Sequence, residues 1–457
     1  MSNRRSQHLP WGALAFVAAT SVAASVRAEA PPSDGGLLAP PVEVGVPTTP
    51  PASQLHVGPE RLRACSFRHD LCVHGGPGDP ILEAIATLDR VWETATGPLG
   101  LPPPDRGLVS GTYDVYLVPT LDSPGVTYLR ERDGLGTRDR ASAVSLADSR
   151  LRGCSLDRAL ARELFRAIAF RASPGTDETT ARAEASALTR LAVPCALGAP
   201  DGAEILQSHP ERGLYPITKL VPDGYGRRAA DGAGVFFGWL DDAYAQTPGG
   251  IVRALWAMSA TKTMRGADVF ASDPDAFDVL RESMKGALFT GSTIHDVFVS
   301  FAVARAFLGN ALSESPEIGA IGAPLAPDFD LPWPATGTTK SVAMSAGLAP
   351  TGATTIRVRR AGALPGTRLR VEIQWEQLAK LRWVALKLDA RGAITQRLPF
   401  GVADKATEAA LSVGELDASE SVLLVGTNVS TWDEAFDPET TAFEPHGWVV
   451  SVASEGP

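Results

Sequence analysis

Past its first 28 residues the chain has no apolar run long enough to cross a bilayer. It lacks the G-x-S-x-G turn of serine hydrolases, the P-loop and the glycine pattern of dinucleotide-binding folds, so none of those chemistries is signalled. It also lacks basic excess. Its 42 Lys and Arg face 52 Asp and Glu, and a net charge of -10 argues against nucleic acid or an anionic membrane as the main partner. The seven histidines are sparse, and His209, His295 and His446 show no ligand spacing. Arginine greatly outnumbers lysine, and we read that, with the high alanine, as coding bias. No internal repeat is present.

The chain that remains is ordinary globular material, 44% hydrophobic and 21% charged, and 457 residues suggest two or three domains. Arg4-Arg5, an apolar stretch over 11–26 and Val26-Arg27-Ala28 predict a signal peptide cut after Ala28, hence an exported, soluble mature protein in the periplasm or outside the cell. Residues 29–60 are proline-rich and predict an extended linker. The four cysteines suit an oxidising compartment, and we expect Cys65–Cys72 as a local loop and Cys154–Cys195 as a longer staple. The competing reading of the first pair is a metal site, because Cys65, His69, Cys72 and His74 lie within ten residues.

From residue 61 the patterns predict a short strand over 71–74, a helix over 79–96 and a strand over 113–118. A loop to 140, a second strand over 143–146 and a helix over 155–172 follow. Ser155 is its candidate cap, and Ser173-Pro174-Gly175 stops it. This helix is apolar over most of its circumference. Its polar residues form one narrow line, Arg158, Arg162, Glu163 and Arg166, which should face a cleft or an internal partner. Further helices are expected over 177–193, 232–245, 250–258, 276–284 and 294–308, with 222–228 as loop. Residues 314–338 read as a domain linker. Beyond it the period becomes two, as in Arg368–Trp375, and 339–457 predicts an immunoglobulin-like β-sandwich. The fold class is therefore α+β: a mainly helical domain with a small N-terminal sheet over 61–313, then the sandwich.

Arg162-Glu163-Leu164-Phe165-Arg166 becomes H-E-x-x-H if both arginines are replaced by histidine. In that motif two imidazoles one turn apart bind zinc and the glutamate is general base. About twenty residues on stands Ala183-Glu184-Ala185-Ser186-Ala187, and then an aromatic helix, Phe236-Phe237-Gly238-Trp239-Leu240-Asp241-Asp242, and a Leu255-Trp256 helix. In this order of elements the chain from residue 62 onward resembles exported bacterial zinc metallopeptidases of the gluzincin type with a C-terminal β-sandwich. The resemblance places Arg162 and Arg166 on the histidine positions, Glu163 on the general base and Glu184 on the third ligand.

Arginine has no lone pair for a metal, so the resemblance implies a lost zinc and no other cofactor. Glu163 is then a vestigial base, and the protein an inactive homologue that binds a peptide or protein in the former substrate cleft. The alternatives are an active hydrolase with ligands not recognised in the sequence, or an interaction protein working through its sandwich. An S-x-x-K match at Ser259–Lys262 lacks its companion motifs and reads as a polar helix end. Asp433, Glu434, Asp437 and Glu439 read as a solvated turn in preference to a calcium loop.

Overall fold

The computed structural model describes residues 61–456 apart from 108–109, 120, 122, 131–141, 174–177, 197–200, 215–223, 260–275, 285–292, 311, 314–320, 322–325, 404, 417–418 and 431–444. The expected signal peptide and first linker, three residues of the S-x-x-K match and the acidic group after residue 432 lie outside the described residues.

An antiparallel hairpin, β1 (Leu62–Cys65) and β2 (Leu71–Gly75), opens the described fold and is closed by the Cys65–Cys72 disulfide. Helix α1 (Ile81–Thr96) follows, then β3 (Tyr113–Val118), β4 (Gly125–Arg130) and β5 (Ser142–Asp148). The sheet order is β1-β2-β3-β5-β4, with β2, β3 and β5 parallel and an antiparallel strand at each edge. β4 falls in the stretch expected to be loop. Val126 and Tyr128 carry the alternation that identifies it, but Pro124-Gly125 and the glycines after residue 133 obscure so short a run.

Helix α2 (Gly153–Ala172) lies over β4 and β5, with α1 on one flank and α3 (Glu178–Ala192) on the other. Surrounded in this way, it buries every residue from 159 to 170. Six large apolar side chains, Leu156, Leu160, Leu164, Phe165, Ile168 and Phe170, are fully buried, at about 1.5–3 kcal/mol each. That term offsets the charges the same helix takes inside. Ser155 lies within the helix and does not cap it; the cap position is Arg152, and the Glu83 carboxylate of α1 accepts the Gly153 N–H at 2.8 Å. A tertiary contact has replaced the local one. The Cys154–Cys195 disulfide joins the start of α2 to the segment just past α3.

Helices α4 (Ala203–Ser208), α5 (Gly224–Gly232), α6 (Gly234–Tyr244), α7 (Gly250–Ser259), α8 (Ala276–Met284) and α9 (Ile294–Ala306) complete the helical body. α5 occupies part of the stretch expected as loop, because its glycines and arginines hide a helix held by tertiary contacts. α6 and α9 meet through aromatic rings: Phe236 stacks on Phe298 at 5.6 Å and meets Phe301 edge-on at 5.0 Å.

The sandwich begins inside the expected linker. β6 (Phe329–Pro332) pairs with β8, and Trp333 enters the sandwich core. The remaining strands are β7 (Thr339–Leu348), β8 (Ala353–Arg359), β9 (Arg368–Trp375), β10 (Leu381–Leu388), β11 (Ile394–Pro399), β12 (Glu408–Val413), β13 (Ser421–Asn428) and β14 (His446–Glu455). Their antiparallel pairing is nested: β7 with β14, β8 with β13, β9 with β12, β10 with β11. Two open sheets result, β11-β10-β13-β8-β6 and β12-β9-β14-β7. This is the order of a jelly roll and not of an immunoglobulin domain, a correction to the sequence expectation. Alternation tells which residues point inward; it carries no information on which strand lies beside which.

α9 packs on the outer face of β8, β13 and β10. Val384 and Leu386 of β10 and Leu423 and Val425 of β13 face Ala302, Val303 and Phe307, while Trp383, Ala385, Val422 and Leu424 face the sandwich core. These two strands are apolar on both sides because both sides are covered. The backbone stitches the same seam. Ala353 N donates to Pro210 O at 2.7 Å, Ala349 N to Glu211 O at 3.0 Å, and Leu214 N to Thr351 Oγ1 at 2.6 Å. Thr351 holds φ 65° there, a left-handed conformation that β-branched residues avoid.

Candidate functional site

The polar line of α2 is turned inward. Arg162, Glu163 and Arg166 are 2%, 1% and 0% exposed, and Glu184 on α3 is 1% exposed. Charges this deep need partners. Arg166 Nη1 donates to Glu163 Oε2 at 2.6 Å, and Arg162 Nε to Glu163 Oε1 at 3.3 Å. Arg162 Nη1 also reaches Asp201 at 3.0 Å and Asp231 at 3.1 Å. Asp231, on α5, is held in a two-pronged contact by Arg182 of α3, both arms 2.9 Å. Arg158 closes the group on Asp201 at 2.6 Å. Four arginines thus stand among three carboxylates, Glu163, Asp201 and Asp231. Among the described contacts, Arg162 and Arg166 reach Glu163, Asp201 and Asp231, and the carboxylate of Glu184 accepts from Trp256 Nε1 of α7 at 2.7 Å.

A line of hydroxyls also ends on Glu163. Thr127 Oγ1, on β4, donates to Glu163 Oε2 at 2.8 Å and lies 2.7 Å from Ser145 Oγ, itself 2.5 Å from the Tyr113 hydroxyl. A carboxylate can only accept, so the donor sense runs from Tyr113 through Ser145 and Thr127 to Glu163. Burial alone would push the Glu163 carboxyl up. Arg166, Arg162, Arg182 and the Thr127 hydroxyl outweigh it and hold the group at about 2, below its ordinary 4.5. Burial alone would depress Arg162; Asp231, Glu163 and Asp201 bring it above its ordinary value. Burial also raises the Tyr113 hydroxyl. Gly125 makes room for the carboxylate: a Cβ there would lie 2.6 Å from Glu163 Cγ.

Chemically this arrangement neutralises itself. The positions that the resemblance gives to imidazoles hold guanidiniums, which supply no metal ligand, so the residues present do not fit a zinc ion. Among the described residues no group of three or more His, Cys, Asp or Glu is placed to hold a metal. Sequence reasoning singled out Arg162, Glu163, Arg166 and Glu184 but missed Arg182, Asp201, Asp231, Thr127 and Trp256. The unexpected helix α5 and strand β4 supply Asp231 and Thr127. Only the apolar surroundings of Arg182 within α3 were a signal available in advance.

Both cysteine pairs are disulfides, and His74 is held by Asp114 at 2.9 Å and stacked on Tyr116, so the alternative metal site at 65–74 is not formed. The hydroxyl of Ser259 is bonded to Ser173 Oγ at 2.7 Å. No described helix is long and apolar enough to cross a membrane.

No protein-family model matches the chain, and no curated protein matches it. Solved structures give weak likenesses that each cover 28% of this chain. The pre-peptidase C-terminal domain of a collagenase from Bacillus anthracis is 7% identical, covered over 97% of its length, with a TM-score of 0.18. PliG, a periplasmic inhibitor of g-type lysozyme from Aeromonas hydrophila, is 10% identical, covered over 97%, at 0.16. CorA, a surface-associated copper-binding protein of Methylomicrobium album BG8, is 10% identical, covered over 98%, at 0.19. Likenesses of this size carry no functional argument.

Proposed function

We propose that the chain is an exported, catalytically inactive relative of gluzincin-type metallopeptidases that serves as a peptide- or protein-binding module. The carrying observation is the filled site on α2. A zinc hydrolase needs the metal to bring its water's pKa down from about 15.7 to about 7. Here two guanidiniums occupy the ligand positions, and Glu163, held at about 2 by ion pairing, is too weak a base to take a proton from water at neutral pH. The site is also closed: with Glu163 1% exposed, no substrate bond reaches it. The ion-pair network now links α2 to α5 through Arg162 and Asp231, and α5 to α3 through Arg182. The two disulfides and the signal-like N-terminus favour export.

Binding is supported by β4. It is an edge strand whose outer side has no strand partner among the described residues, and it carries Thr127 beside the closed site. An extended peptide adds to such an edge through main-chain hydrogen bonds. The former cleft itself is filled, so the edge replaces it as the docking place.

Metal analysis and a peptide-hydrolysis assay on the purified protein test the first half. No stoichiometric zinc and no turnover are expected; zinc-dependent turnover that Glu163→Gln abolishes would sink the reading. The double variant Arg162→His, Arg166→His, titrated with zinc by calorimetry, should bind measurably with Glu184 as third ligand; equal silence of variant and parent refutes the descent. Hydrogen exchange tests the second half. Extended peptides should slow the amides of 125–130, and a broad panel that leaves them unchanged removes β4 as the docking edge.

A further inference from the structure

A cavity of about 210 Å³ opens on the seam between the helical body and the sandwich, remote in sequence from the α2 site. Ala302 and Ala306 of α9, Ala353 of β8 and Ala326 contribute methyl groups, beside Gln207, Ser208, Pro210 and Thr355. Its polar lining holds two opposite charges, Arg305 and Asp328. Arg305 is 1% exposed and, among the described residues, has no carboxylate in salt-bridge contact. Its Nη1 donates to Pro210 O at 3.2 Å and its Nη2 to the carbonyls of Leu206 and His209 at the end of α4; its Nε has no acceptor among the described residues. Burial brings this guanidinium down to about 10, against the pull of Glu211 and Asp328.

Asp328 is the reverse case. Its Oδ2 accepts from Thr354 Oγ1 at 2.9 Å, Thr355 N at 2.7 Å and Thr355 Oγ1 at 3.4 Å. Partial desolvation of the carboxylate, with Glu211 nearby, raises it above the ordinary value, although the residue as a whole is exposed at the surface. Glu211 and then Asp328 act electrostatically on Arg305, but Arg305 and Asp328 do not meet as an ion pair among the described contacts. Glu211 is turned to His209 at 3.2 Å and Arg212 at 3.7 Å. The cavity therefore brings a buried cation and a surface carboxylate to one small space lined also by four alanines, Gln207, Ser208, Pro210 and Thr355.

We propose that this seam cavity binds a small free α-amino acid, with its carboxylate directed to Arg305, its ammonium to Asp328 and a short apolar side chain among the alanines. A carboxylate alone satisfies one wall and leaves the other bare, as does an amine alone. A zwitterion completes both, and its two charged groups flank a single carbon, which keeps the molecule small enough for a cavity of this volume. Arg305 Nε, buried and without an acceptor among the described residues, is the donor left for the carboxylate. The alanines exclude large side chains.

Calorimetric titration of the full chain with L-alanine, propionate and ethylamine tests the assignment. L-Alanine should bind and raise the melting temperature, with propionate and ethylamine each weaker by about tenfold or more, since each lacks one charge-assisted contact. Asp328→Asn, at the mouth, should weaken L-alanine by about tenfold while leaving propionate unchanged. Ala306→Leu fills the cavity without touching either charge and should abolish binding in a protein that stays folded. Absence of L-alanine binding overturns the proposal. So does propionate binding as tightly as L-alanine, or L-alanine binding that survives Ala306→Leu. These outcomes are independent of the zinc and peptide experiments.

Discussion

Glu163 carries most of what is distinctive at the scale of single residues. It is the acceptor for two arginines and the end of a hydroxyl chain, and none of these groups has water to fall back on. Glu163→Gln keeps the shape and removes the charge, leaving Arg162 and Arg166 short of an anion. Loss of one partner from a buried pair costs about 3–5 kcal/mol, and urea unfolding of the variant at neutral pH should show a loss of that order. Titration has a defined sign. The folded-state group sits at about 2 against an ordinary 4.5, so its contribution is fully present above pH 4.5 and is lost as pH falls toward 2. Each unit of such a shift is worth about 1.4 kcal/mol. Acid unfolding of the parent should steepen over that window, and the Glu163→Gln variant should lose much of the steepening. An equal slope in both proteins would mean that the carboxylate is solvated.

The elements show how far sequence pattern reaches. Arg368–Trp375 alternates in the sequence and alternates in burial along β9, because one of its faces meets the core and the other meets water. α2 was legible for the opposite reason, since an almost wholly apolar helix must be enclosed. β4, α4 and α5 were not legible. Each is short, each contains or adjoins glycine, and each is held by contacts from distant parts of the chain. The cap of α2 was misplaced because Glu83, seventy residues earlier, does what Ser155 was expected to do. The arginine line could be seen to need partners, but the identity of those partners depended on the elements that were missed. One element-scale prediction concerns the staple between α2 and the end of α3. Cys154 and Cys195 are 41 residues apart, and closing a loop of that length restricts the unfolded chain by about 3–4 kcal/mol. Cys154→Ala with Cys195→Ala should lower stability by that order. A melting temperature unchanged on reduction of this pair would show that the helices are fixed by packing alone.

For the whole molecule, the described residues fall in one compact unit, and the seam explains why the sandwich is not a detachable appendage. Residues 210–214 donate to and accept from the turn between β7 and β8, and Phe307 and its α9 neighbours lie on β10 and β13. Close approach is required there, since a Cβ at Gly352 would stand 2.3 Å from Glu211 O. Ending the chain after residue 328 would bare that apolar face of α9 and take the Ala349 N–H donor from the carbonyl of Glu211. The truncated body should therefore be aggregated or unfolded by size-exclusion chromatography and circular dichroism. A monodisperse truncation with native helicity would contradict the fused seam.

The nested pairing of the sandwich has a consequence in time. β7 can find its partner only when β14, about a hundred residues later in the chain, has been synthesised and delivered, and β14 is also the neighbour of β9. Such distant pairing gives a high contact order and slow folding, in a range of about milliseconds to seconds for all-β domains. The last strand in the sequence is thus the keystone of the first sheet pair to be needed. Until it arrives, one of the two sheets has neither its centre nor its closure, and that part of the chain stays open.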